Sequence, residues 1–413
     1  MDQFSKEQLL NILHDVKNMD QNGFFISIFP KEIVDEIWCN RAELSDLDCL
    51  FLIAFSVDGS QPSMMRKGLF RLENHFLPEP KTLLLDAKIS EIPNGVVSQL
   101  VNALSIENII INCESALRIT FDLDFPLVAN QIKSCSFYDL SSDYQLNTIY
   151  SSKSIEKLTF ISVQGEMLPK DLSLATALSS VEFRLCKLSQ LPKINKNNSK
   201  LTKIVINESL KPTNINLEFF PQSIQELDFS MNKLNEIKGL SSMDKLEKLD
   251  LSSCFFTSFD LSELPRNLKR LNLRDNEITT FPHEMNIMCR NLEYLDISHN
   301  HILSIPKEFM NLNSLSEFLC SNNKLDILPE GELFWRGISR LDSRKNQLRK
   351  LPASMTNLTN LVYLDLEDNC LTEFSSFYKT SDLSGTTIRL RGNFFSIQEK
   401  HKLLSLETSY LDL

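Results

Sequence analysis

Glycine is scarce in this chain, ten among 413 residues, and no stretch is rich in Gly and Ser or in Pro. That composition excludes a long flexible linker and a low-complexity tail. The motifs in which glycine lets backbone approach a phosphate, or makes a sharp nucleophile turn, are missing too: neither G-x-x-x-x-G-K-S/T nor G-x-S-x-G occurs. The six histidines, at 14, 75, 283, 299, 301 and 401, form no metal-spaced set with cysteine. No cofactor, no metal and no enzymatic activity are expected. Long hydrophobic runs are also lacking. The longest, Leu50–Val57, falls far short of the ~20 residues a membrane-spanning helix needs, and the polar start Met1-Asp2-Gln3 is unlike a secretory signal. Positive charge is in deficit. The formal charge of −11 disfavours a nucleic-acid partner, whose phosphates would be repelled.

The nine cysteines are odd in number and scattered at 39, 49, 113, 135, 186, 254, 289, 320 and 370, with no C-x-x-C pair. That suits neither a disulfide framework nor a zinc site. Reduced thiols in the cytoplasm, or in the nucleus, are the expectation. The N-x-S/T sequons at Asn197, Asn207 and Asn357 then read as chance matches.

What the chain does contain is a repeat. The pattern L-x-x-L-x-L-x-x-N-x-L fits Leu268–Ile278, Leu292–Ile302, Ile338–Leu348 and Leu361–Leu371 closely. Ile224–Leu234 and Leu246–Phe256 fit with small changes, and Leu178–Leu188, Leu201–Leu210 and Leu315–Leu325 fit more loosely. Ile155–Phe160 opens the series and Ile388–Asn393 closes it, making eleven. The second consensus leucines are Leu158, Val181, Ile204, Leu227, Leu249, Leu271, Leu295, Phe318, Leu341, Leu364 and Ile388, spaced by 22 to 24 residues throughout.

Each position has a physical reason. An x-L-x-L-x stretch is a short strand whose leucines face one way and whose intervening residues face the other. One such strand cannot bury its apolar face, whereas a stack of them makes a continuous core. The ninth-position Asn (Asn232, Asn276, Asn300, Asn323, Asn346, Asn369, Asn393) sits where the chain leaves the strand and can bond the backbone of neighbouring turns. Cys186 and Cys254 take this place as small structural substitutes. Leu-Pro or its like follows, as in Leu328-Pro329 and Leu351-Pro352, and then apolar residues at roughly helical spacing, such as Met355, Leu358 and Leu361. Trp335 falls where Leu358 falls one repeat later, so it is expected in the core.

On these motifs residues 155–395 resemble the leucine-rich repeat family, in its subtype of about 23 residues with an L-P turn. The resemblance implies an α/β solenoid, a right-handed arc with a parallel β-sheet lining its concave face, and a protein partner bound on that face. The column between the inward leucines holds Asp228, Asp250, Asn272, Asp296, Leu319, Asp342 and Asp365. The flanking columns hold Arg270, Tyr294, Arg340 and Tyr363 on one side and Arg274, Ser298, Arg344 and Glu367 on the other. Tyr and Arg are enriched at interface hot spots. Arg270, Arg274, Tyr294, Arg340, Arg344 and Tyr363 are therefore the candidate partner-binding residues, against the plainer reading that the arginines only neutralise the aspartates beside them.

The ends differ. Residues 58–154 read as irregular repeats or an N-terminal cap, with degenerate strands at Ile106–Ile111 and Ile132–Phe137, and residues 396–413 as a C-terminal cap. Residues 1–57 carry helical patterning: a capping box at Ser5 and Gln8, a second start at Pro30-Lys31-Glu32-Ile33, and a third at Ser45. Within it, Ile28–Trp38 followed by Leu44–Val57 resembles an F-box, matching at Pro30, Glu32, Ile33, Ile37, Asp46 and Leu47. It departs by one residue between Trp38 and Asp46 and lacks the late Trp and basic residues. That resemblance implies that Pro30, Ile33, Ile37 and Leu47 bind the adaptor subunit of a cullin-RING ubiquitin ligase, with the repeats recognising the substrate. The alternative is a non-enzymatic scaffold or regulatory protein whose N-terminal helices are only a cap.

Overall fold

The computed structural model describes residues 70–72, 82–86, 107–112, 131–138, 147–163, 168–210, 213–282, 289–374, 385–405, 408 and 410–413. The helices expected over residues 1–57, with Pro30, Ile33, Ile37 and Leu47, lie outside them. The chain divides into two compact units, Met1–Lys200 and Leu201–Leu413.

In the first unit β1 (Phe70–Leu72) runs antiparallel to β2 (Thr82–Asp86). From β2 the sheet is parallel through β3 (Asn108–Asn112), β4 (Ser134–Tyr138), β5 (Lys157–Ile161) and β6 (Ser180–Arg184), with the short helix α1 (Asn147–Tyr150) between β4 and β5. The degenerate strands expected near 106–111 and 132–137 are thus β3 and β4. Ile109 pairs with Cys135 and Cys135 with Leu158, so the uneven period there lengthens connections without disturbing register. Two places after Cys135, Leu158 and Val181 the inward side chains are phenylalanines, and they stack. Ring centroids lie 5.1 Å apart for Phe137 and Phe160 and 4.9 Å for Phe160 and Phe183. This aromatic column supplies the buried area that leucine supplies elsewhere.

In the second unit the main sheet is parallel throughout. It takes β7 (Lys203–Asn207), β9 (Glu226–Asp228), β11 (Lys248–Asp250), β12 (Arg270–Asn272), β13 (Tyr294–Asp296), β14 (Glu317–Leu319), β15 (Arg340–Asp342), β16 (Tyr363–Asp365), β17 (Thr387–Arg389) and β18 (Tyr410–Asp412) in that order. A separate parallel pair, β8 (Thr213–Asn216) with β10 (Leu234–Lys238), lies in the return segments. The marker residues from Ile204 to Ile388 pair in unbroken sequence, each with the next. Strand β18 is an addition to the expected series: Leu411 pairs with Ile388, so the segment expected to be only a cap holds helix α3 (Ile397–Leu403) and one more strand.

Burial follows the alternation. Leu273, Ile297 and Leu366 are fully buried at equivalent places. At two consecutive strands the inward leucine is replaced by smaller groups, Cys320 and Ser343, whose Sγ and Oγ lie 2.9 Å apart with both residues buried. The return segment between these two strands contributes large buried side chains. Helix α2 (Glu332–Gly337) presents Phe334 and Trp335 to the core, and the Trp335 indole N–H satisfies itself on the Pro329 carbonyl at 3.0 Å.

The asparagines form a ladder. Asn300 Nδ2 donates to the carbonyls of Leu273 and Ile297, both at 3.0 Å, while its Oδ1 accepts the Ile278 N–H at 3.0 Å. Asn276, Asn323, Asn346, Asn369 and Asn393 repeat that arrangement one turn along. Cys254 does half of it: its thiol donates to the Phe229 carbonyl at 3.1 Å, but it has no amide oxygen to accept the N–H of the previous turn. Just before each ladder position the backbone turns left-handed, with φ near +54° at Leu185, Ser253, Asn322 and Lys345 and +56° at His299. Only the last of these places is glycine. Gly392 has φ +75°, and a Cβ there would lie 2.2 Å from Asp368 Oδ1.

Candidate partner-binding face

The sheet of the second unit has an inner face filled by the leucines and an outer face carrying the residues between them. Strand pairing places Arg270, Tyr294, Glu317, Arg340 and Tyr363 in one row across five neighbouring strands. The row forms two stacked pairs. The Arg270 guanidinium lies over the Tyr294 ring at 4.0 Å from its centroid, and Arg340 over Tyr363 at 4.4 Å. Each tyrosine is tied down at its other end by the aspartate two residues on: Tyr363 donates to Asp365 at 2.9 Å and Tyr294 to Asp296 at a longer 3.4 Å. A cation over an aromatic face and a charge-assisted hydrogen bond together pre-order side chains that would otherwise lose rotamer freedom on binding.

The aspartate column is less exposed than its alternation suggests. Asp296, Asp342 and Asp365 are buried, and each accepts the backbone N–H two residues ahead, from Ser298, Arg344 and Glu367 at 2.8, 3.2 and 3.1 Å. They close turns at the strand ends. Ser298, placed by the alternation on an outward column, is buried as well. Arg344 follows the plainer reading: it lies 3.6 Å from Asp342 and 3.9 Å from Asp365. Arg274 stands exposed beside His299. Arg389, overlooked in the sequence because it occupies an aspartate place, reaches Asp365 at 3.8 Å and approaches the Tyr363 ring at 5.7 Å.

The ionisation behaviour reflects this crowding. Burial, reinforced by Asp296, pushes the Tyr294 phenol up to about 12. Burial and the hydrogen bond to Asp365 raise Tyr363 in the same direction. Burial raises Asp342 above the usual carboxylate range, and partial burial beside Arg274 lowers His299. Desolvation likewise disfavours the thiolate, pushing Cys254 and Cys320 up to about 12 and Cys289 to about 11. Among the described residues no three His, Cys, Asp or Glu side chains cluster as a metal site, and no helix is long and apolar enough to cross a membrane. Of the sequons, Asn207 is buried, its amide bonded to Asp228 at 2.7 Å, which leaves it no room for a glycan.

Residues 245–266 and 266–325 match leucine-rich repeat family models. Over 171 residues, 39% of this chain, the sequence is 28% identical to a probable serine/threonine-protein kinase of Dictyostelium discoideum, and the chain spans 4% of that protein's length. Among solved structures it is similar to a leucine-rich repeat protein of Leptospira interrogans, with TM-score 0.59 and 22% identity over 80% of this chain and 95% of that one. It is also similar to a chain of the Toll–Spatzle complex of Drosophila, with TM-score 0.63 and 17% identity over 87% of this chain and 52% of that one. An internalin of Listeria monocytogenes gives 0.51 and 16% over 69% and 75%. At such identities the likeness is one of fold: the chain has the leucine-rich repeat fold, an α/β solenoid of stacked strand-and-turn units.

Proposed function

We propose that this chain is a non-enzymatic protein-recognition subunit that holds its partner on the outer face of the sheet between β12 and β16. The observation that carries the reading is the pair of pre-ordered Arg–Tyr stacks, Arg270 on Tyr294 and Arg340 on Tyr363. Half-buried tyrosines under exposed arginines on a sheet are the residue types from which interface hot spots are built. Replacing Arg340 and Tyr363 together by Ala should weaken partner binding by roughly 2 kcal/mol or more with little change in melting temperature. Lys307→Ala, on an exposed return segment, should do neither. Loss of binding on Lys307→Ala with the double variant unaffected would move the partner to the other side.

The finer part of the proposal is that the bound protein is a ubiquitylation substrate and that Pro30, Ile33, Ile37 and Leu47 engage a cullin-RING ligase adaptor in the cytoplasm. The F-box resemblance of residues 28–57 supports it, as do the cysteines: Cys135, Cys186, Cys254, Cys289, Cys320 and Cys370 are in no disulfide. Ile33→Lys should abolish adaptor co-purification and leave thermal stability nearly intact. If Ile33→Lys melts the protein instead, that helix is a cap and the chain is a scaffold without a ligase.

A further inference from the structure

Lysines outnumber arginines in this chain, 28 to 15. On the outward columns from β12 to the turn after β17 the preference inverts: every basic residue there is arginine, at 270, 274, 340, 344, 389 and 391. Generic surface charge does not explain that choice, because lysine would serve as well. Two of the six, Arg344 and Arg389, are spent on the buried Asp365. Arg270 and Arg340 are different. Both are exposed, both rest one guanidinium face on a tyrosine, and neither is in an ion pair among the described residues. A stacked guanidinium still has its N–H edge free, and that edge matches a carboxylate through two parallel hydrogen bonds. Between the two stacks, in the same row, stands the half-buried Glu317, which likewise has no ion pair among the described residues.

The spacing selects the shape of what fits. Arg270 and Arg340 are three strands apart, about 14 Å at the usual distance of about 4.8 Å between strands. An extended peptide crossing the strands rises about 3.4 Å per residue and returns to the same side every second residue. Its residues i and i+4 therefore lie about 14 Å apart on one side. A helix rises about 1.5 Å per residue and turns every 3.6, which brings side chains back to one side near 10 and near 16 Å but not near 14. Because each arginine leans over the tyrosine of the following strand, the midpoint of the two sites falls above Glu317. Residue i+2 of the extended peptide, on the same side, is then held over a carboxylate.

Resting on the proposed role of this face in holding a protein partner, we infer that it reads an extended segment with acidic side chains at i and i+4 and a basic side chain at i+2. The pattern is the same in either chain direction. The two arginines bind the carboxylates, and Glu317 both attracts the central cation and repels a run of uninterrupted acid.

The test is fluorescence anisotropy of the full chain with a labelled, threonine-rich synthetic peptide carrying two glutamates four residues apart and a lysine midway. Moving one glutamate by a single residue turns it to the opposite side and should weaken binding about tenfold or more, as should Arg270→Ala or Arg340→Ala. Replacing the central lysine with glutamate should weaken binding to the parent protein and strengthen it to Glu317→Lys. All these substitutions are at exposed or half-buried outward positions, and circular dichroism melting of each variant separates loss of binding from loss of fold. Equal binding of all the peptides, no binding of any, or an unchanged central preference in Glu317→Lys overturns the inference. If the protein partner still requires Arg340 and Tyr363 while the peptides show no spacing rule, the face is the docking site and only the acidic pattern is wrong. If neither responds, both readings fail.

Discussion

Asn300→Ala removes one rung of the asparagine ladder from the middle of the second unit. The side chain is 4% exposed, so water does not replace it. Its Oδ1 accepts the Ile278 N–H at 3.0 Å, and that donor becomes a buried orphan in the variant. Its Nδ2 donates to Leu273 and Ile297, but these carbonyls keep partners: Asn276 still donates to Leu273 at 2.9 Å and Asn323 to Ile297 at 2.9 Å. The main cost is therefore one unsatisfied N–H, about 1–3 kcal/mol, with a smaller share for two carbonyls that lose a second bond, for a total of about 2–4 kcal/mol. Asn300→Cys should fall between parent and Ala, because Cys254 already shows that a thiol can serve as the donor. Urea denaturation followed by circular dichroism measures the total, and hydrogen exchange at the Ile278 amide reads the local effect. An Asn300→Ala variant within about 0.5 kcal/mol of the parent, with unchanged exchange at Ile278, would refute the reasoning.

Three further outcomes are expected. Leu273→Ala, Ile297→Ala or Leu366→Ala should each cost about 2–5 kcal/mol by denaturation, since all three side chains are fully buried; a loss under about 1 kcal/mol would mean the stack relaxes around the gap. Stability should fall as pH rises from 10 to about 12, because Tyr294 is held protonated in the fold up to about 12 while an unfolded tyrosine ionises near 10. That contribution is complete below pH 10 and lost through about 12, so Tyr294→Phe should flatten part of the alkaline slope of the urea midpoint, and identical slopes would contradict the shift. Gly392→Ala should lower the melting temperature, because a Cβ at φ +75° meets Asp368 at 2.2 Å; restoration by the second change Asp368→Gly would tie the effect to that contact.

The register of the repeats was legible in the sequence because it rests on two strict periods. Alternation sorts inward from outward side chains, and the nearly constant step of the markers stacks them within each unit, so the strand centres fell where the markers put them. Strand β18 was legible and overlooked: Tyr410-Leu411-Asp412-Leu413 repeats Tyr363-Leu364-Asp365-Leu366 letter for letter, but without the Asn that marks the other turns. On the outer face, alternation reports direction and not depth. Ser298 points outward and is nevertheless buried, as a small side chain among larger ones, and Asp365 disappears beneath Tyr363, Arg344 and Arg389. The Arg–Tyr stacks were legible as neighbours in one column, but which arginines stack and which pair with acid depends on reach between columns. Arg344 stands nearer the aspartates, whereas Arg270 and Arg340 share the tyrosine column.

Hydroxyl-radical footprinting of the chain with and without its captured partner reads directly whether the partner sits on the outer face between β12 and β16. Tyr294 and Tyr363 are half-buried but open on that face, while Phe219 and Leu333, 69% and 65% exposed, mark the return segments. Bound partner should suppress oxidation of Tyr294 and Tyr363 and leave Phe219 and Leu333 at their free rates. Protection of Phe219 and Leu333, with Tyr294 and Tyr363 still oxidised as in the free protein, would contradict that placement.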